Sequence, residues 1–249
     1  MDDEFQQICS GNTLPSKSIR QLVESGFVVV PGPVSGYPFN QLTAAYDEVM
    51  SVASGPDIRI GSTTTRMSDL LNYGSGFDDV YLYPLLLEAC SHIIGEPFKL
   101  SSLLARTLRA EMPSQELHVD LPRGSEDQPL LGFILMIDSF REKNGATRFV
   151  PTSHNWIDVP RDRLSDTRTR YAGEVLCCGE HGTMIIFNGA IWHGHTANVT
   201  PDSRRSIQGY FVRRSARSGF DFRNRLLPAA RNRMSPLARY LLALEDEAQ

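Results

Sequence analysis

At Phe98 the sequence changes texture. Beyond it, short apolar runs (99–111, 132–138, 147–150, 173–177, 183–187 and 206–212) are separated by Gly, Pro, Asn and Asp. Runs of this length with turn residues between them read as strands. Several in succession, without the helical stretches that parallel βαβ units need, point to an antiparallel sandwich or jelly-roll barrel. The expected fold class is mainly β with flanking helices.

The helices are expected on either side of that region. Stretches 16–24, 39–53 and 80–94 carry apolar residues at helical spacing, and 236–247 reads as a surface helix. Phe27-Val28-Val29-Val30 is a short apolar run stopped by Pro31-Gly32-Pro33, and 55–76, rich in Gly, Ser and Thr, reads as an irregular loop. Barrels of this kind often run to such a length undivided. All 249 residues are therefore expected to form one domain: a helical part (1–97), a β-barrel core (98–214) and a tail (215–249).

Composition narrows the function classes. The chain is 41% hydrophobic, enough for a full core, and its net charge of −4 predicts no general attraction to nucleic acid or to an anionic membrane. No apolar run approaches the roughly 18 residues of a membrane span, and the start MDDEFQQ lacks the basic and apolar regions of a secretory signal. A cytoplasmic location is expected. Cys9, Cys90, Cys177 and Cys178 match neither a zinc ribbon nor a disulfide framework and read as reduced thiols. Arginines crowd the stretch from Arg204 to Arg239, as a solvated, ion-paired surface or as a site for anionic ligands.

Chemistry enters with Glu116-Leu117-His118-Val119-Asp120. On an extended chain side chains two apart share a face, so His118 and Asp120 can reach one point. An apolar strand and turn then lead to Trp192-His193-Gly194-His195. A distant imidazole can complete a two-histidine, one-carboxylate face on Fe(II), leaving positions for a bidentate 2-oxo acid and O2. Arg204-Arg205-Ser206 opens the next strand, where Arg204 and Ser206 share a face and Arg205 points away. A buried guanidinium suits the distal carboxylate of a dicarboxylic co-substrate. Arg204, with Ser206 beside it, is assigned to 2-oxoglutarate and Arg205 to solvent or a surface ion pair.

The ordered set His118-x-Asp120, Asn144-Gly145-Ala146-Thr147-Arg148-Phe149-Val150-Pro151-Thr152-Ser153-His154, His193-Gly194 with Asn198 five residues on, and Arg204 resembles the phytanoyl-CoA dioxygenase family of Fe(II)/2-oxoglutarate oxygenases. The likeness spans roughly 98–214, with an echo in the segment from Ser25 to Gly32. It implies a double-stranded β-helix (jelly-roll, cupin-like) core with the metal at its open end. It also implies His118, Asp120 and His193 as ligands and catalytic centre, Arg204 as co-substrate anchor, and Thr147 and Gln115 as further 2-oxoglutarate contacts. Where the family usually has Pro-Gly-Ser-His, this chain has Pro151-Thr152-Ser153-His154, which puts the turn's shape in question. Related halogenases carry a small residue in place of the carboxylate, so Asp120 argues against halogenation.

His195 competes with His193 as the third ligand, and the spacing to Asn198 and Arg204 favours His193. His92, His154 and His181 read as structural residues. The expected reaction is oxidation, by default hydroxylation, of a C–H bond in a small molecule, anionic or natural-product-like, with succinate and CO2 released. Substrate contacts are expected from 60–72, 121–129, Trp192 and the arginine-rich tail. Arg66, Arg123, Arg213 and Arg214 are read as surface arginines first. Two other readings stay open: a cupin-type metal oxygenase with no 2-oxo acid, which has no need of Arg204, and a catalytically silent barrel serving as a binding module.

Overall fold

The computed structural model describes residues 3–244. Its strands are β1 (Phe27–Pro31), β2 (Ile58–Ile60), β3 (Thr64–Met67), β4 (Phe98–Leu108), β5 (Leu130–Met136), β6 (Thr147–Phe149), β7 (Val175–Cys177), β8 (Thr183–Asn188), β9 (His193–His195) and β10 (Arg204–Arg213). The helices are α1 (Asp3–Cys9), α2 (Ser16–Ser25), α3 (Gly36–Val52), α4 (Asp78–Tyr81), α5 (Pro84–Ile94), α6 (Pro160–Arg163), α7 (Phe222–Arg225), α8 (Pro228–Arg233) and α9 (Pro236–Leu241). No described helix is long and apolar enough to cross a membrane.

The strands form a major sheet, in the order β1-β8-β5-β10-β4-β3-β2, and a minor sheet, in the order β7-β6-β9. Their pairings are antiparallel, and the two sheets make the double-stranded β-helix expected from the sequence. The period-2 alternation of a strand decides which layer each side chain enters. On β8, Met184 and Ile186 face the helices while Ile185 and Phe187 face the minor sheet. β5 divides the same way, Leu131, Phe133 and Leu135 on one side and Ile134 and Met136 on the other. The major sheet thus has an apolar layer on each face. One lies under α2, α3 and α5; the other is shared with Phe149 and Cys177 of the minor sheet.

β4 and β10 break this pattern on the inner face. Leu103, Ala105, Ile207 and Phe211 fill the helix-side core. The inward positions are instead Arg106 on β4 and Arg204, Ser206, Gln208 and Tyr210 on β10. Burying polar groups is costly unless they are paired. A strand that is apolar on one side and charged on its buried side therefore marks an interior built for a polar ligand.

Several expectations need correction. The stretch 55–76 contains the β2–β3 hairpin, which extends the major sheet beyond β4. The helix expected over 80–94 is split, because the residue before a proline avoids helical dihedrals: Tyr83 is extended (ψ 118°) and α5 restarts at Pro84. The C-terminal helix spans Pro236–Leu241, and the last residues of the expected 236–247 lie outside the described region. Thr152, where the family usually has glycine, adopts the left-handed conformation (φ 70°), which strains a non-glycine residue. Much of the arginine-rich stretch follows the ion-paired reading, Arg204 apart: Arg225 bonds Asp69 at 2.6 Å, Arg233 pairs with Asp78, and Arg205 bonds Asp47 at 2.6 Å and Asp138 at 2.7 Å.

Candidate active site

The segment 112–120 is not a regular strand. It crosses the open end of the barrel through isolated bridges. His118 and His193 exchange backbone hydrogen bonds (His118 N to His193 O 2.9 Å, His193 N to His118 O 3.0 Å), and Asp120 N donates to Gly189 O at 2.9 Å. Gly194 makes this closeness tolerable, since a Cβ there would lie 3.0 Å from Glu116 O. From beneath, the Arg148 guanidinium donates to Gln115 O (2.9 Å), Thr167 O (3.0 Å) and Thr169 O (3.1 Å), and pairs with buried Glu174. Three backbone carbonyls and one carboxylate thereby fix the segment that carries His118.

These contacts bring His118, Asp120 and His193 together, with one potential ligand atom from each within 4.8 Å of the others. His118 Nε2 lies 3.8 Å from Asp120 Oδ1, and His193 Nε2 lies 3.4 Å from Asp120 Oδ2. Each imidazole has its Nδ1 against the carbonyl two residues earlier, Glu116 O at 3.0 Å and Ile191 O at 2.9 Å. A carbonyl only accepts, so both rings carry the proton on Nδ1 and turn a lone pair on Nε2 toward the aspartate, as metal-ligating histidines do. Burial holds His118 down at about 4, with His193 adding to the effect, so the ring is neutral and able to ligate at neutral pH. Asp120 Oδ2 is buried without a hydrogen-bond partner. A buried carboxylate oxygen lacking a donor, facing two imidazole lone pairs, suits a divalent cation; the donor set of two nitrogens and one carboxylate is that of a non-haem iron site.

A cavity of about 330 Å³ opens beside this group. Arg204 reaches it from β10, buried, with its guanidinium 3.9 Å above the Phe140 ring. Among the described residues Arg204 has no hydrogen-bond or ion-pair partner, and its Nε is an orphan. Burial, reinforced by Arg106, pushes it down to about 9. Thr147 and Gln115 line the same cavity. Gln115 Nε2 is 3.4 Å from His118 Nε2, and its Oε1 accepts from Arg106 at 3.3 Å. Ser206 is buried in the neighbouring wall, donating to Arg106 O at 3.2 Å and accepting from Gln208.

Other expectations fare differently. Trp192 is buried core whose indole donates to Asp158 O, and 121–129 does not line either cavity at the metal group. Arg123, Arg213 and Arg214 bond Asn155, Glu126 O and Tyr240 O. Arg66 instead faces the cleft.

Residue reading missed Arg106 and Tyr210. Arg106 sits mid-strand in an apolar run, and period-2 alternation with Ala105 in the core was the available signal. Burial and the neighbouring Asp120 push the Tyr210 phenol well above its ordinary range. His195 also lines the cavity: its Nδ1 donates to Thr196 O (2.8 Å) and its Nε2 is buried without a partner.

A double-stranded β-helix with two histidines and one aspartate gathered at its open end defines the class of cupin-like metal-site folds. Within it, the family profile described as Phytanoyl-CoA dioxygenase (PhyH) matches residues 22–206, and the chain belongs to that family. Dioxygenase af480 of Aspergillus fumigatus is 26% identical over 174 residues, covering 67% of this chain and 54% of that protein. Dioxygenase sphC, also from A. fumigatus, is 26% identical over 209 residues, covering 74% and 55%. The chain therefore spans about half the length of these two relatives. HygX from Streptomyces hygroscopicus, solved with nickel, 2-oxoglutarate and hygromycin B, has the same fold at 15% identity. Its TM-score is 0.65, over 82% of this chain and 90% of that one.

Proposed function

We propose that this protein is a non-haem Fe(II)/2-oxoglutarate-dependent dioxygenase that oxidises, by default hydroxylates, an unactivated C–H bond of a small molecule. One observation carries the reading: the His118, Asp120 and His193 group and the buried, unpartnered Arg204 guanidinium line a single cavity. A metal-only cupin enzyme or a silent binding module has no use for that arginine, whose burial is costly without an anion.

In this reading His118 Nε2, Asp120 and His193 Nε2 hold iron. Iron with 2-oxoglutarate and O2 supplies the oxidant for the C–H bond, releasing succinate and CO2. The protein's own share is placement. Arg204 takes the distal carboxylate of 2-oxoglutarate, with Thr147 beside it, and Ser206 steadies the wall. The amide of Gln115, anchored by Arg106, donates toward the co-substrate. Tyr210 orients Asp120 from the β10 side, and Arg148 keeps the His118 segment in register. Phe149 and Phe187 pack on the His193 ring at centroid distances of 5.9 and 5.1 Å, excluding water behind it.

The hygromycin-bound HygX supports a natural-product-like small molecule as substrate. The single-domain organisation and the cytoplasmic placement read from the sequence belong to the same proposal. Its test is anaerobic titration of the apoprotein with Fe(II) and 2-oxoglutarate, following the visible charge-transfer band of the chelate. The band is expected in the wild type and absent in His118→Ala. Iron binding without a band in folded wild type would favour the cupin-type reading, and no iron binding would favour the binding module.

A further inference from the structure

Three arginines stand in cross-strand register at the mouth of the barrel: Arg59 on β2 opposite Arg66 on β3, and Arg66 opposite Arg106 on β4. Directly opposed residues of antiparallel strands share a face about 4.5–5.5 Å apart, and like charges so placed repel. All three line a second cavity of about 430 Å³, and Arg66, Arg106 and His118 line this cavity and the metal cavity alike. The row therefore runs from solvent to the metal group.

The row lacks what several of the protein's other arginines have. Arg141, Arg205, Arg225 and Arg233 each meet a carboxylate. Among the described residues none pairs with Arg59, Arg66 or Arg106. Arg66 donates to Thr64 Oγ1, and Arg106 to the amide oxygens of Gln208 (3.1 Å) and Gln115, with its Nε unpartnered. The carboxylates lining the two cavities are Glu116, already paired with Arg168 at 3.2 Å, and Asp120 of the metal group. A divalent metal and the 2-oxoglutarate dianion cancel each other. Loading the site still leaves Arg59, Arg66, Arg106 and Arg204 facing one aspartate. A charged residue on an edge strand can serve only to block sheet pairing, which would account for Arg59 but not for Arg106 in the interior.

We infer that the β2–β3 hairpin is the recognition element for an anionic substrate. A carboxylate or phosphate group docks on Arg59 and Arg66, with Arg106 behind, so that a carbon further inward faces the metal group. This rests on the oxidative role proposed above and adds the charge of the substrate to it. Guanidinium forks suit either anion.

The test uses protein loaded anaerobically with Fe(II) and saturating 2-oxoglutarate. Inorganic phosphate and, separately, butyrate are titrated at ionic strength fixed with chloride and followed by calorimetry. Saturable binding of at least one anion is expected, weakened five- to tenfold or more in Arg59→Gln and in Arg66→Gln. Phosphate alone would assign a phosphate ester, and butyrate alone a carboxylic acid. Arg59 lines the outer cavity and not the metal cavity, so Arg59→Gln is expected to keep the full chelate band. Neither anion binding, or Arg59→Gln binding like the wild type, would overturn the inference. If the wild type forms no chelate band, the oxidative reading fails instead. The same titration on the unloaded protein then scores the hairpin alone, by the same criteria.

Discussion

Replacing Arg204 with methionine is expected to stabilise the apoprotein while removing its affinity for 2-oxoglutarate. Burial and Arg106 bring this guanidinium from 12.5 to about 9, which corresponds to about 4–5 kcal/mol against the charged form at neutral pH. The stack on Phe140 returns about 2 kcal/mol, the value for a desolvated cation–π contact. Methionine keeps the apolar stem without the charge, so a net gain of about 2–3 kcal/mol is expected. For a chain of this size that raises Tm by about 4–12 °C. The sign with pH follows from a basic group whose folded value is depressed. The penalty is complete below about 9, where the arginine is protonated both folded and unfolded, and it fades as pH rises from there toward 12.5. Thermal unfolding of wild type and Arg204→Met at pH 7 and pH 10 measures the gap and its narrowing. Titrating 2-oxoglutarate against the iron-loaded variant should show apparent affinity falling by a hundredfold or more, the loss of a buried charge-assisted pair. A lower Tm in the variant would refute the reasoning, because the guanidinium would then be part of the scaffold and not a group held ready for an anion.

Three further outcomes are expected. Thr152→Gly relieves a left-handed backbone that costs a non-glycine residue roughly 1 kcal/mol or more, so Tm should rise by about 1–3 °C, measured by calorimetry. Gly194→Ala places a Cβ 3.0 Å from Glu116 O and 3.1 Å from Gln115 O, pushing the His118 segment off His193; Fe(II) affinity by competitive chelator titration should fall on the order of 10–100-fold. Glu88 is buried, which alone would raise its carboxyl, but donors from Leu14 N, Thr13 N and the Thr13 hydroxyl outweigh burial and hold it below its ordinary value. Its stabilisation is therefore present at neutral pH and lost as pH falls through the folded value. Glu88→Gln should cost about 1–3 kcal/mol at pH 7 by urea unfolding, with the gap closing as pH falls through the lowered carboxyl value.

Much of the candidate site was legible because its chemistry is local. His118 and Asp120 are two apart, and the strand pattern around His193 and Arg204 is strongly apolar, so both the period and the ligand types stand out. The β2–β3 hairpin was not legible. β2 is only Ile58-Arg59-Ile60 and β3 only Thr64–Met67, runs too short for alternation to stand out from the Gly, Ser and Thr around them, and the hairpin draws its register from β4. Arg106 was hidden for a related reason: whether a lone arginine in an apolar run faces solvent or a cavity depends on which layer covers that side of the sheet. The break between α4 and α5 was readable from Pro84 alone, but the leucines around it have a helical period that spans the break.

The position of β1 bears on how the chain is made. Phe27 pairs with Phe187, and Val30 with Met184. During synthesis β1 therefore waits until β8 has emerged before its partner is available, and only the seams made by β9 and β10 follow later. Sequence-distant pairing of this kind slows folding and leaves an unpaired apolar edge exposed meanwhile. In this chain that edge is Val28-Val29-Val30, which makes the nascent protein most dependent on protection from aggregation before residue 188 has left the ribosome.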